Sequence, residues 1–131
     1  IEGFQVQEMV SGIEMIIGVH DDVQFGPVLA LGFGGVIVEA IRDVSFRLLP
    51  VFEVDVGEML EELKARALLG AYRGAPCRDV DALIRAVVVI TEAYMTVRNR
   101  ISDLEINPLI VGADGEGVYA VDIRAIPRED T

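Results

Sequence analysis

One cysteine, one histidine, one lysine and no tryptophan occur among the 131 residues, and each scarcity narrows what the chain can do. Cys77 alone cannot build a disulfide framework or a thiolate metal cluster, and reads as a small buried or loop residue. With His20 the lone imidazole, a Ser/His/Asp or Cys/His catalytic set has little raw material. Eleven Lys and Arg stand against 22 Asp and Glu, for a formal net charge of −11. That balance argues against nucleic-acid binding, which needs clustered cations on the phosphates. It leaves a nucleotide open, because Mg2+ can screen phosphates from nearby carboxylates. Apolar runs such as Ala86–Ile90 are far too short to cross a bilayer, and no N-terminal stretch reads as a signal peptide. The expectation is therefore no membrane partner and a cytoplasmic location. The chain opens on Ile1 rather than Met, which suggests a fragment or a processed product.

What is present is an ordinary globular composition, 52% hydrophobic and 25% charged, enough for the core of one domain. Phe4–Val10 and Ile13–His20 read as strands separated by a Ser11-Gly12 turn. Asp21–Pro27 reads as a loop, Val28–Leu31 as a short strand and Gly32-Phe33-Gly34-Gly35 as a corner. That corner lacks the Gly-Lys-Ser/Thr of a phosphate loop and the spacing of a dinucleotide fingerprint. Val36–Ile41 is ambiguous, and Asp43–Leu49 alternates as a strand that closes at Pro50. Asp55 and Glu58 form a candidate capping box for a helix with Val56, Met59, Leu60 and Leu63 on one face. Glu61-Glu62 reads as its solvated side. A loop over Leu68–Arg78, including Arg73, leads to a longer helix capped by Asp79 or Asp81 and ending near Asn99. Val80, Leu83, Ile84, Val87, Ile90, Tyr94 and Val97 follow its spacing. Met9 and Met15 read as packing residues. Strands, two helices, then two strands predict an α+β fold: an antiparallel sheet with helices packed on one face.

The last segment carries the chemistry. Asp103–Val111 and Gly117–Ala125 read as strands joined through Asp114-Gly115, a tight-turn signal. Centred there, the hairpin sets Asn107 opposite Asp122 and Glu105 opposite Arg124. Alternation puts these four on one face and Leu104, Ile106, Ile110, Tyr119, Val121 and Ile123 on the core face. Facing side chains begin about 5 Å apart at Cβ, so Asn107 and Asp122 could share one hard cation such as Mg2+. The plainer alternatives are a Glu105–Arg124 ion pair on a wetted face and turn chemistry at Asn107-Pro108. A bulge of one residue would break the register.

Glu105-Ile106-Asn107-Pro108-Leu109 followed by a hairpin to Val121-Asp122 resembles the end of an ATP-grasp domain. It is most similar to the NDP-forming acyl-CoA synthetases, including succinyl-CoA synthetase β chains and ADP-forming acetyl-CoA synthetases. Val6-Gln7-Glu8-Met9-Val10, Gly26-Pro27-Val28, Gly34-Gly35, Phe46-Arg47-Leu48 and Tyr72-Arg73-Gly74 agree with that family in order, so the likeness covers nearly the whole chain. The resemblance implies that residues 1–131 form the C-terminal subdomain of a larger ATP-grasp enzyme, the second lobe of the fold. It implies Mg2+ held by Asn107 and Asp122, and Glu105 beside the phosphates, with Arg47 as a further phosphate contact. It places the nucleoside of ATP (or GTP) against Gln7, Glu8, Met9 and Val10, with Glu14 on the ribose. The implied activity is an acid–CoA ligase passing phosphate to a histidine on a CoA-binding partner domain or subunit. Such a chain would need the first ATP-grasp lobe as well, would be inactive alone, and would belong to an oligomer when full-length. His20 lies outside the family's phosphohistidine motif. Two other readings are a regulatory module fused to an acetyltransferase and a lobe of another ATP-grasp ligase.

Overall fold

The computed structural model describes residues 2–34, 43–70 and 77–129. Three strands come first: β1 (Ile13–Asp22), β2 (Gly26–Phe33) and β3 (Val44–Leu48). Two helices follow, α1 (Glu53–Glu62) and α2 (Val80–Val97), with a 3-10 turn over Arg66–Leu69 between them. β4 (Ile101–Val111), β5 (Val118–Ala120) and β6 (Ile123–Pro127) close the chain. The sheet is antiparallel, in the order β3-β2-β1-β4-β5, and β6 continues the edge along β4. This is the α+β arrangement that the pattern predicts.

Period-two alternation explains which face is covered. Met15, Ile17 and Val19 on β1, and Leu29, Leu31 and Phe33 on β2, are sealed against Val56, Met59, Leu60, Leu63, Leu83, Val87 and Tyr94 from the helical side. The intervening residues form an open face. Two glycines allow close backbone approach: a Cβ on Gly12 would stand 2.3 Å from the Val111 carbonyl oxygen, and one on Gly32 2.5 Å from that of Asp43.

Two buried aspartates tie the layers together. Asp43 accepts hydrogen bonds from the Lys64 and Ala65 amides at 2.7 and 2.8 Å, fixing the turn that leaves α1. Asp79 caps α2 by accepting from the Ala82 amide at 3.2 Å and grips the hairpin by accepting from the Gly117 amide at 2.8 Å. These bonds from Gly117 and Ala82 outweigh desolvation and hold the Asp79 carboxyl below its ordinary pKa.

Several expectations need correction. α1 starts at Glu53, not after Asp55; Asp55 sits in the first turn and accepts from the Phe52 amide at 2.7 Å. Glu62 does not merely face solvent, because it binds Arg47 and accepts from the Ser45 hydroxyl at 2.6 Å. Phe4–Val10 has no strand partner among the described residues and, Val10 apart, lies exposed, since an extended segment without a ladder neighbour gains no sheet bonds. Cys77 is exposed. Val36–Ile41 and Tyr72-Arg73-Gly74 lie outside the described residues, as does Gly35.

Candidate functional site

The hairpin register is the expected one. Glu105 pairs with Arg124, Leu109 with Ala120 and Ile110 with Tyr119. Between those pairs the Asn107 amide donates to the Asp122 carbonyl at 3.0 Å, and the Val121 amide donates to that of Pro108 at 3.1 Å. Gly115 takes a positive φ of 85° in the turn, which glycine meets without steric cost.

The face assignment changes part-way along. β4 shifts register against β1 between Met15 and Ile17: Ile17 pairs with Ile106, but Met15 pairs with Leu109. Ile106 and Leu109 are both buried, so Asn107 and Pro108 together occupy the step between them. Across the hairpin Val121 and Asp122 occupy the matching step. Ile110 and Tyr119 therefore join the open face beside Glu14, not the core face that uninterrupted alternation predicts. Val121 and Ile123 are exposed, at an edge that no helix covers.

Two cavities lie along this surface. The smaller, about 440 Å³, is lined by Gln7, Glu8, Met9 and Val10 together with Ile110, Tyr119 and Val121. The larger, about 630 Å³, has apolar walls that include Ile16, Val28, Phe46 and Leu48, with His20, Asp103, Glu105 and Arg124 along its other side. Asn107 and Asp122, both exposed, line neither cavity but lie between the residues that do: along β4 Asn107 separates Glu105 from Ile110, and on the return Asp122 separates Val121 from Arg124. Glu14 pairs with Ile110 at the smaller cavity. The segment Gln7–Val10, Glu14, Asn107, Asp122 and Glu105 are thus brought onto one surface.

Arg47 is not brought there. It pairs with Leu29 on the helix-covered side, whereas Glu105 pairs with Gly18 on the open side. Its guanidinium forms a forked ion pair with Glu62, whose carboxyl is lowered to about 2 by Arg47 first and by the Ser45 hydroxyl second. A guanidinium held this way cannot also meet phosphates across the sheet.

Sequence reasoning missed a second polar pair. His20 Nδ1 lies 2.5 Å from Asp103 Oδ1, while the Ser102 hydroxyl donates to the other carboxylate oxygen at 2.8 Å. Partial burial acts to raise the Asp103 pKa; the bonds from His20 and Ser102 more than offset it, so the carboxyl lies below its ordinary value. Only the pairing of β1 with β4 reveals this contact, because 83 residues separate the two in sequence.

A family model described as an ATP-grasp domain matches residues 1–126. The chain belongs to the ATP-grasp domain family. The β subunit of an ADP-forming acetate–CoA ligase II from Pyrococcus furiosus is 36% identical to this ATP-grasp chain over 115 residues, covering 88% of the chain and 49% of that protein. An ADP-forming acetate–CoA ligase I from Archaeoglobus fulgidus is 37% identical over 131 residues, 99% of the chain and 19% of that protein. Among solved structures, the dinucleotide-forming acetyl-coenzyme A synthetase 1 of Ca. Korarchaeum cryptofilum, in complex with coenzyme A and Mg-AMPPCP, superposes with a TM-score of 0.83 at 38% identity. That match covers 92% of this chain and 55% of the other. The chain thus spans about half or less of the length of these relatives. No described helix is long and apolar enough to cross a membrane.

The fit of a divalent ion follows from the donors. The Asn107 amide oxygen and the Asp122 carboxylate are hard oxygen ligands at facing, exposed positions. No cluster of three or more His, Cys, Asp or Glu that could hold a metal exists among the described residues. A pair of protein oxygens suits Mg2+, which fills its other positions with water and phosphate.

Proposed function

We propose that this chain is the C-terminal ATP-grasp lobe of a cytoplasmic NDP-forming acid–CoA ligase. It would bind Mg–ATP (or Mg–GTP) for phosphoryl transfer to a histidine on a CoA-binding partner domain or subunit. The observation that carries the reading is the facing of Asn107 and Asp122 across the hairpin, between residues lining the cavity flanked by Gln7–Val10 and residues lining the one flanked by Glu105. Mg2+, when bound by these two oxygens, supplies charge neutralisation at the phosphates. The chain's own residues do the rest. Gln7, Glu8, Met9 and Val10, with Ile110 and Tyr119, offer the nucleoside an apolar slot with backbone donors and acceptors beside it, and Glu14 offers a carboxylate to the ribose hydroxyls. Glu105 stands one same-face step beyond the metal pair, where a terminal phosphate would lie, and Arg124 opposite it carries compensating charge.

Two aspects of the relatives support the wider role. The Korarchaeum enzyme is described with its phosphohistidine segment pointing towards the nucleotide-binding site. The Pyrococcus relative is a β subunit, and so works beside another chain. A complete site would need the first lobe, which in this family supplies the basic residues opposite the phosphates, and an isolated lobe would turn over nothing. The deciding experiment is Asp122→Ala in the full-length enzyme. Phosphorylation of the acceptor from radiolabelled nucleotide should fall by roughly 10³-fold, while circular dichroism and thermal melting stay unchanged. Transfer at the wild-type rate would remove the metal role.

A further inference from the structure

Beyond the residues assigned above, we propose that His20, held by Asp103, is the general base that takes the proton released when the acceptor imidazole is phosphorylated. The inference rests on the proposed ligase reading.

The argument starts from the hydrogen bond. A carboxylate only accepts, so the proton in the His20–Asp103 contact resides on Nδ1; in the neutral ring Nε2 then keeps its lone pair. His20 is 62% exposed on its side chain and lines the larger cavity, so Nε2 is free to meet a second molecule. Asp103 is itself braced by the Ser102 hydroxyl. It acts as a positioning residue: it fixes the ring's tautomer and stabilises the imidazolium. The groups facing the imidazole are Asp22 on its own strand, Asp103 and Glu105 on β4, and Arg124 on β6; β2 contributes only apolar Val28 and Ala30 to this cavity. The Asp22 carboxylate is committed to the turn amides of Gln24 and Phe25, leaving Asp103 as the anion in contact.

The order of residues along the open face supplies the second support. Counting from the nucleoside end, the cross-strand rows run Glu14–Ile110–Tyr119, then Asn107–Asp122, then Gly18–Glu105–Arg124, then His20–Asp103. Successive same-face rows lie about 7 Å apart. A triphosphate whose metal sits on the second row would present its terminal phosphorus near the third. His20 then stands one row further, with room for one acceptor ring between Glu105 and the imidazole. Gly18, beside Glu105 in the third row, has nothing within 4 Å of where a Cβ would project, so the floor next to Glu105 is open.

The step balances as follows. A nitrogen lone pair of the acceptor imidazole forms the bond to phosphorus, and the bond from phosphorus to the bridging oxygen breaks, its electron pair leaving with the nucleoside diphosphate. The N–H proton shed by the acceptor ring moves to Nε2 of His20.

The test uses the full-length enzyme with its acceptor domain, comparing wild type, His20→Gln and Asp103→Asn. Single-turnover transfer from γ-labelled Mg–ATP is followed across pH, and the His20 imidazole is titrated in parallel by NMR. The expected loss for His20→Gln is about 10²-fold or more, with disappearance of the limb of the pH profile that coincides with the His20 titration. Asp103→Asn should also slow transfer, because the ring loses the partner that fixes its tautomer, and should cause no further loss in the His20→Gln background. Mg–ATP affinity should stay within about twofold in both variants, since neither residue is at the nucleoside or metal end. Wild-type transfer in His20→Gln, or a loss equal at every pH, overturns the proposal. If Asp122→Ala abolishes transfer while His20→Gln does not, only this inference falls; if Asp122→Ala also transfers normally, the ligase reading itself falls.

Discussion

On the helix-covered side of the sheet, Met15, Leu29 and Leu31 are fully sealed, whereas on the open side Phe46 and Leu48 leave 61% and 54% of their surface exposed. β1 and β2 supply the first set, and β3, paired with β2, supplies the second. The charged pairs divide likewise. On the covered side Arg47 and Glu62 are locked to one another with the Ser45 hydroxyl. On the open side His20 and Asp103 share one bond and leave a ring nitrogen free, and Glu105 has no ion pair among the described residues. The covered face is satisfied internally, so its substitutions register as stability. The open face leaves both apolar area and polar groups unmet, so its substitutions register as binding and chemistry.

That contrast can be broken or sharpened in order of effect. Leu83→Ala, on the buried side of α2, should cost about 3 kcal/mol by denaturant unfolding, since it removes buried methyl groups and leaves a void. A loss under 1 kcal/mol would mean that the covered face is not the stabilising one. Asp79→Ala should lower Tm by roughly 4 °C near neutral pH, through loss of a helix cap and of the hairpin bond. Because the folded-state pKa of Asp79 is depressed, its contribution is fully present above the unfolded value near 3.8 and is lost as pH falls through the folded value. The wild-type and variant melting curves should therefore converge in acid; a constant gap would refute the linkage. Phe46→Ser on the open face should change stability by no more than about 0.5 kcal/mol. A larger drop would show that this surface contributes to the core.

Much of this division is legible in the sequence. The alternation of β1 and β2, the α2 stripe from Leu83 to Tyr94, the Asp79 cap and the Asp114-Gly115 turn all arise from local pattern, and local pattern is what a sequence displays. The facing of Asn107 with Asp122 was readable for the same reason, because a hairpin couples residues near in sequence. The ordered short motifs of the ATP-grasp family were legible through resemblance. Other features were not. The His20–Asp103 pair and the turning of Ile110 to the open face depend on β1 lying beside β4, a long-range pairing that no hairpin rule dictates. Arg47 was expected at the phosphates through the family resemblance alone. Only the packing of α1 shows that Glu62 occupies it. The N-terminal segment alternates well enough for a strand, yet alternation cannot reveal whether a neighbouring edge exists to receive it.

The matching two-residue steps at Asn107–Pro108 and Val121–Asp122 act as a spacer set at the same height in both arms of the hairpin. Alternation restarts beyond it, so the two ends of the surface are phased independently. Residues around Glu105 could be exchanged without disturbing which way Ile110 faces, and the reverse. Loss of one residue from a single arm would instead turn one end inside out, carrying Ile110 toward the helices or Glu105 into the core. Insertions and deletions here should consequently be tolerated only in pairs, one in each arm.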